Sequence, residues 1–275
     1  MYKWNANITE PQRFLRRKRI GTFSEYKNAF YSGAVLFRSD LKARYRHSFI
    51  GWVWVAVPLV LVGFIFLFLR FSGVAGPGES GMTYAAYAFT GLTVWQIFYL
   101  SVKIPADAFI QYKKLLLNTR FTVYTLTLFS FLKILFESAI RLIVLLVILL
   151  VSGELTLFGV FPGSFSLVCI MAFGLMIGIA TAGASALFVD LKLVMESALT
   201  VWFFFTPIFY SIPESGKLSA LLNLNPMTHL ICFCRKMIVL GKTDCLMSSL
   251  STSVIAVCLI PVWISFLKRL KPHII

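Results

Sequence analysis

Two kinds of residue in this chain could do chemistry on a large polar substrate. The first is a run of cations, Arg38, Lys42, Arg44, Arg46 and His47, packed into ten positions. Guanidinium forks match phosphate oxygens, so the run could capture a pyrophosphate-linked substrate. It could equally fix orientation by holding anionic headgroups at a membrane edge. The second is the stretch Val194 to Tyr210, VMESALTVWFFFTPIFY, with Trp202, Phe203, Phe204, Phe205, Phe209 and Tyr210 crowded at its end. Lipid asks only for apolar side chains, so aromatic bulk gathered in nine residues predicts a gripping surface. As a helix, the stretch puts Trp202, Phe205 and Phe209 on one face at i, i+3 and i+7. An outer interfacial belt is the alternative reading of the same rings.

Other candidates carry less. Lys133, Glu137 and Arg141 recur every four residues and share a face. Charges at membrane depth are costly and usually paired, so Glu137 is expected to pair with a neighbour along its own helix near the interface, or else to mark a substrate path. His229, Cys232 and Cys234 fall short of the four ligands that structural zinc wants, and the five cysteines follow no framework spacing. Gly241-Lys242-Thr243 resembles the end of a phosphate loop, but the required earlier glycine is Lys236. The histidines His47, His229 and His273 do not cluster with carboxylates, so no catalytic residues, no metal and no cofactor are expected in this chain.

The elements that must position these residues follow from composition. The 275 residues are 59% hydrophobic and 13% charged, with a mean hydropathy of +0.83. Soluble domains run nearer 45–50% apolar and 25% charged. The class is therefore all-α and polytopic in a membrane. The net charge of +15 is concentrated in the N-terminal arm before any long apolar run, as the positive-inside rule produces. No nucleic-acid-reading motif accompanies it. Residues 1–30 are polar, basic and aromatic, so no cleavable signal is expected and the arm stays cytoplasmic.

Six spans are predicted, at about 51–69, 85–102, 124–152, 165–189, 194–211 and 250–267, against a need for about 20 apolar residues each. Residues 1–49 form a basic arm with an amphipathic segment at RFLRRKRI, and residues 50–275 form the membrane domain. In the first span Trp54, Pro58, Leu61, Ile65 and Phe68 share a face, and Trp54 and Phe68 are its candidate lining groups. Asp107 to Leu117 reads as a short cytoplasmic helix with an acidic start and a basic end. Gly174 and Gly178 permit close helix packing in the fourth span. Two short apolar pieces, Lys217 to Leu224 and Met227 to Leu240, divided by Asn225-Pro226, suit re-entrant or interfacial helices. Arg235, Lys236 and Lys242 then lie outside, against the charge bias. Both termini are expected in the cytoplasm.

Three patches carry a family resemblance. They are DLKARYRHSFIGWVWVAVPL at Asp40 to Leu59, LFVDLKLVMESALTVWFFFTPIFYSIP at Leu187 to Pro213, and LNPMTHLICFCRKMIVLG at Leu224 to Gly241; GLTVWQIFYLSV at Gly91 to Val102 is a softer match. In this order they resemble the permease subunit of ABC-2 type transporters that export O-antigen and capsular polysaccharides. One departure is Thr122 after Arg120-Phe121, where the family often has a Phe-Pro pair.

The resemblance implies a homodimeric six-span permease of the bacterial inner membrane, joined to two ATPase subunits that hold ATP and Mg. It implies that the N-terminal amphipathic segment is an interface helix. Asp107, Gln111, Lys113 and Lys114 would lie on a coupling helix to the ATPase, and Asn225, Pro226 and Arg235 on periplasmic gate helices. The substrate class would be a glycan on a pyrophosphate lipid, passing a channel lined by Trp54, Phe68, Trp202, Phe205, Phe209 and Tyr210. A smaller amphipathic substrate, such as a teichoic-acid precursor, lipid or drug, is the competing transporter reading. A membrane enzyme acting on lipid-linked sugars would need acid–base groups that the sequence lacks.

Overall fold

A computed structural model describes residues 22–46, 53–72, 81–118, 122–188, 190–210, 212, 216–243 and 245–274. The RFLRRKRI segment, His47 and the side chain of Trp54 lie outside the described residues. Every regular element described is a helix: α1 (Thr22–Tyr45), α2 (Val53–Phe71), α3 (Tyr84–Gln111), α4 (Lys113–Asn118), α5 (Val123–Val151), α6 (Leu157–Leu187), α7 (Asp190–Phe204), α8 (Lys217–Leu224), α9 (Pro226–Leu240) and α10 (Leu246–Ile274).

The centre of the bundle is α3, nearly all of whose first 26 residues' apolar surface is closed off by neighbours; Phe89, Ile97, Phe98, Val102 and Ala106 are inaccessible or almost so. It has two poles. At the Thr83 pole, Thr83 caps the helix through its side chain and donates its hydroxyl to Glu154 Oε1 at 2.6 Å, which brings the end of α5 there. At the Gln111 pole, Tyr112 packs edge-on against Phe129 near the start of α5, so α5 runs antiparallel to α3.

α6 runs parallel to α3 along a seam of glycines, as the small-residue spacing predicts. A Cβ on Gly174 would stand 2.5 Å from Ser101 Cβ, and one on Gly178 would stand 2.5 Å from the Val102 carbonyl oxygen. Gly159 and Gly163 let α9 approach the other end of α6 just as closely, against Met237 and Ile238, and Thr156 Oγ1 donates to the Val239 carbonyl at 2.6 Å. α1 lies along the first half of α5, with Gly33 set against Thr125 and Leu128.

The span pattern differs from the expected six. Among the described residues four helices are long and apolar enough to cross a membrane: Tyr84–Gln111, Val123–Val151, Leu157–Ser185 and Leu246–Leu267. α6 and α10 begin at Leu157 and Leu246, earlier than the expected Phe165 and Leu250. α2 has 19 residues, with a continuous apolar piece at Ala56–Ile65. The stretch expected to span 194–211 is α7, only 15 residues long, or about 22 Å against a hydrocarbon core of about 30 Å. Its helix stops at Phe204 because Pro207 cannot donate to the ladder and disfavours helical backbone at Thr206.

A second correction concerns Asp107 to Leu117. This segment is not one short helix: α3 continues through Gln111, because Ile104, Pro105, Ala106, Ala108 and Phe109 still have a core to pack against. The chain then bends at Tyr112 (φ −99°, ψ 15°) and restarts as α4. The two apolar pieces after Tyr210 are α8 and α9, with Asn225 as the N-cap of α9 and Pro226 in its first turn, where its missing N–H costs nothing.

Candidate functional site

The aromatic residues at the end of the Val194 to Tyr210 stretch sit where α7 ends, and the side chains of Asn225, Arg235 and Tyr87 hold them. Asn225 caps α9 by accepting from Met227 N at 3.0 Å. The same side chain accepts from Trp202 Nε1 at 3.0 Å and donates to Thr206 Oγ1 at 3.0 Å and the Phe205 carbonyl at 3.2 Å. Arg235, buried from solvent, donates to the Ile208 carbonyl at 3.2 Å, and its guanidinium carbon lies 3.4 Å from the centroid of the Tyr87 ring. Planar stacking with donors pointing outward is what arginine provides and lysine does not. Tyr87 in turn donates its hydroxyl to the Tyr210 carbonyl at 2.8 Å. Gly91 is required beneath this arrangement, since a Cβ there would collide with Arg235 Nη2.

This clamp sorts the expected lining residues. Trp202 packs toward the fold. It is half-buried, edge-on to Phe98 at 5.4 Å and to Phe173 at 6.4 Å, with its N–H satisfied by Asn225. The single helical face expected for Trp202, Phe205 and Phe209 does not form, because the helix ends before Phe205. Phe205, Phe209 and Tyr210 remain exposed on the turn, at 51%, 37% and 40%, and Phe204 joins them on the last residue of α7. On α2, Phe68 is exposed, as are Leu61 and Ile65 on the same face. Asn225 and Pro226 lie at the joint between α8 and α9, and Arg235, further along α9, reaches the same turn at Ile208.

Toward the Gln111 pole the contact between α3 and α7 turns ionic. Lys103 Nζ lies 2.9 Å from Glu196 Oε1, and Lys192 Nζ lies 2.8 Å from Asp107 Oδ1. One step of four residues down α3 matches one step of four down α7 in the opposite sense, so the helices are antiparallel neighbours. Asp107 is thus engaged with α7. Gln111 and Lys114 are exposed and Lys113 is half-buried at the α3–α4 bend.

The triplet on α5 pairs differently from expectation. Lys133 meets Asp40 of α1 at 3.0 Å rather than its own neighbour. Glu137 does pair along its helix with Arg141 at 3.6 Å, and also with Arg44 of α1 at 3.6 Å. Tyr112, at the bend, donates to Asp40 Oδ1 at 3.2 Å. Burial and the Asp40 carboxylate push its phenol up to about 12. Of the basic run, Arg38, Lys42, Arg44 and Arg46 are all exposed, and Arg44 also reaches Asp40 and Glu137.

Sequence reasoning passed over Tyr87, Gly91, Lys103 and Glu196. A signal for one of them was present: Trp95, Tyr99, Lys103 and Asp107 are four apart throughout, a single stripe on α3.

A bundle with four helices long and apolar enough to cross a membrane among its described residues is that of a membrane-embedded protein. The chain belongs to the ABC-2 type transporter family, whose sequence profile matches residues 32–239. Membership makes it the membrane subunit of a transporter and implies an ABC ATPase partner. RfbA of Myxococcus xanthus, an O-antigen export system permease protein, is 29% identical over 199 residues, which cover 71% of this chain and 75% of the relative.

Proposed function

We propose that the chain is the permease of an ATP-driven exporter that moves a lipid-linked polysaccharide of the O-antigen or capsule type across the bacterial inner membrane. The observation that carries the reading is the turn from Phe205 to Tyr210. It holds three large rings out of the fold while Asn225, Arg235 and Tyr87 fix its backbone. Sugar rings have apolar C–H faces that lie against aromatic surfaces whatever the sugar sequence, so a polymer can slide over rigid rings. The name of the Myxococcus relative points to the same substrate class.

In this reading two copies of the chain face each other, and Phe205, Phe209, Tyr210 and the exposed α2 face with Phe68 line the path between them, with Trp54 beside it. Both termini are cytoplasmic. Arg38, Lys42 and Arg46, followed by His47, meet the pyrophosphate of the carrier lipid at the entry. Two ATPase subunits hold ATP and Mg and engage the α3–α4 bend through Gln111, Lys113 and Lys114, with Asp107 behind them. Asn225, Pro226 and Arg235 belong to the outer gate, and the two short helices α8 and α9 cover the outer end.

The test is the pair Phe205→Ala and Phe209→Ala, introduced together in a strain whose own copy is deleted. Neither ring supports the core, so the ATPase should still co-purify while surface polysaccharide disappears. Normal surface polysaccharide in that strain would exclude the aromatic turn as the path.

A further inference from the structure

Half-exposed charge inside a spanning helix needs an explanation. Lys103 and Asp107 lie within the candidate span Tyr84–Gln111, yet the side chains of the Lys103–Glu196 pair are each 31% accessible and those of Lys192–Asp107 are 37% and 34% accessible. At 28 residues, about 42 Å, α3 is longer than a hydrocarbon core of about 30 Å, so Lys103 and Asp107 lie in its last turns toward the Gln111 pole, where water and a polar substrate can reach them. This chain does not enclose these four.

The strip does not stop at the charges. Tyr99 is the next residue up the α3 stripe, its hydroxyl 3.4 Å from Lys103 Nζ. Above it Trp95 meets Phe203 of α7 at 5.6 Å, and Phe203 reaches Phe204 at 5.4 Å and Phe209 at 5.8 Å. On the α7 side the exposed Thr200 stands one helical turn above Glu196. The seam therefore grades from paired ions through hydroxyls to rings, and the rings join the Phe205–Tyr210 turn.

We propose that the α3–α7 seam is a saccharide-binding track, with Lys103, Glu196, Lys192 and Asp107 as its hydroxyl-recognising end. This rests on the polysaccharide reading above and adds a subsite to it. A sugar hydroxyl donates to a carboxylate and accepts from an ammonium, so each ion pair offers both halves of the exchange. A free phosphate finds each ammonium already neutralised by a carboxylate, which makes the sugar rather than the pyrophosphate the fitting group. Because every hexose carries hydroxyls, the recognition is indifferent to the repeat unit, as a polymer track requires.

Site-specific photocross-linking in the working transporter tests this. Separate variants carry p-benzoyl-phenylalanine in place of Thr200, Phe205 and, as an outward-facing control on α5, Ile143, which is 61% exposed. The cells hold the full complex and radiolabelled surface glycan. The track predicts glycan adducts at positions 200 and 205 and none at 143. It also predicts that Glu196→Gln lowers the adduct at 200 about tenfold, the loss of one charge-assisted hydrogen bond. Phospholipid adducts alone at 200, as at 143, would overturn the track. So would an unchanged glycan yield with Glu196→Gln. Glycan at 205 with none at 200 rejects the track and leaves the polysaccharide reading standing; glycan at neither position rejects that reading itself.

Discussion

Among the described residues, two clusters of charge in or beside the helices are built on opposite plans. In the cluster between α1 and α5, Lys133, Glu137 and Asp40 expose only 10–12% of their side chains and Arg141 exposes 13%, with Arg44, at 46%, as its one open member. The carboxylates there face cations from two helices and Tyr112. In the cluster between α3 and α7 the same residue types pair one to one and stay about a third open. A closed ionic cluster returns its desolvation cost only through its own contacts, so each member depends on the others. An open ion pair contributes little to stability and leaves hydrogen-bonding capacity free. The difference separates charge that fixes an element, here the N-terminal helix against α5 and the α3–α4 bend, from charge available to a substrate.

Mutations should separate the clusters in the same way. The largest effect is expected from Lys133→Met, which leaves the Asp40 carboxylate only Tyr112 and the more distant Arg44, at 3.9 Å. Removing one member of a buried pair costs about 3–5 kcal/mol, and thermal unfolding of the purified complex in detergent should fall accordingly. An unchanged unfolding temperature would show that the cluster is not a structural unit.

A smaller effect is expected from Tyr112→Phe, which removes one hydrogen bond to a charged acceptor, worth about 1.5–3 kcal/mol at most. The phenol also supplies a pH signature. Its folded value, about 12, lies above the ordinary 10, so folding favours the neutral ring. The stability it contributes is complete below pH 10 and is lost as pH rises from 10 through 12. Tyrosinate absorbance should show a late-titrating component that Asp40→Asn moves part of the way back toward 10, since burial, the carboxylate and its hydrogen bond all raise the Tyr112 phenol. A titration unaltered by Asp40→Asn would contradict the pairing of the bend with α1.

Much of this was legible in the sequence. Helical periodicity, the Gly174–Gly178 spacing and the Asn225-Pro226 division identified elements whose causes are local. The i, i+4 spacing of Lys133, Glu137 and Arg141 found a cluster but not the partner of Lys133, because Asp40 lies far away in sequence and only the packing of α1 on α5 supplies it. The aromatic stretch misled in a specific way. Counting apolar residues across Thr206 and Pro207 made a span of what is a short helix and a turn, and it placed Trp202 beside Phe205 on a surface. The indole faces inward because Asn225 offers it an acceptor and Phe98 and Phe173 offer it a pocket, and neither neighbour is local. The relation of Lys103 to Glu196 was not legible for the same reason: it exists only once α3 and α7 lie antiparallel.

The smallest change in stability and the clearest change in transport should coincide at Glu196. Glu196→Gln opens one half-exposed pair and should shift stability by no more than about 0.5–1 kcal/mol. The decisive measurement is ATP-dependent glycan uptake into inverted vesicles containing the complete transporter with Glu196→Gln, normalised to folded protein. An open, substrate-facing seam predicts uptake about tenfold below the unsubstituted transporter at a nearly unchanged unfolding temperature. Full uptake in those vesicles would contradict it.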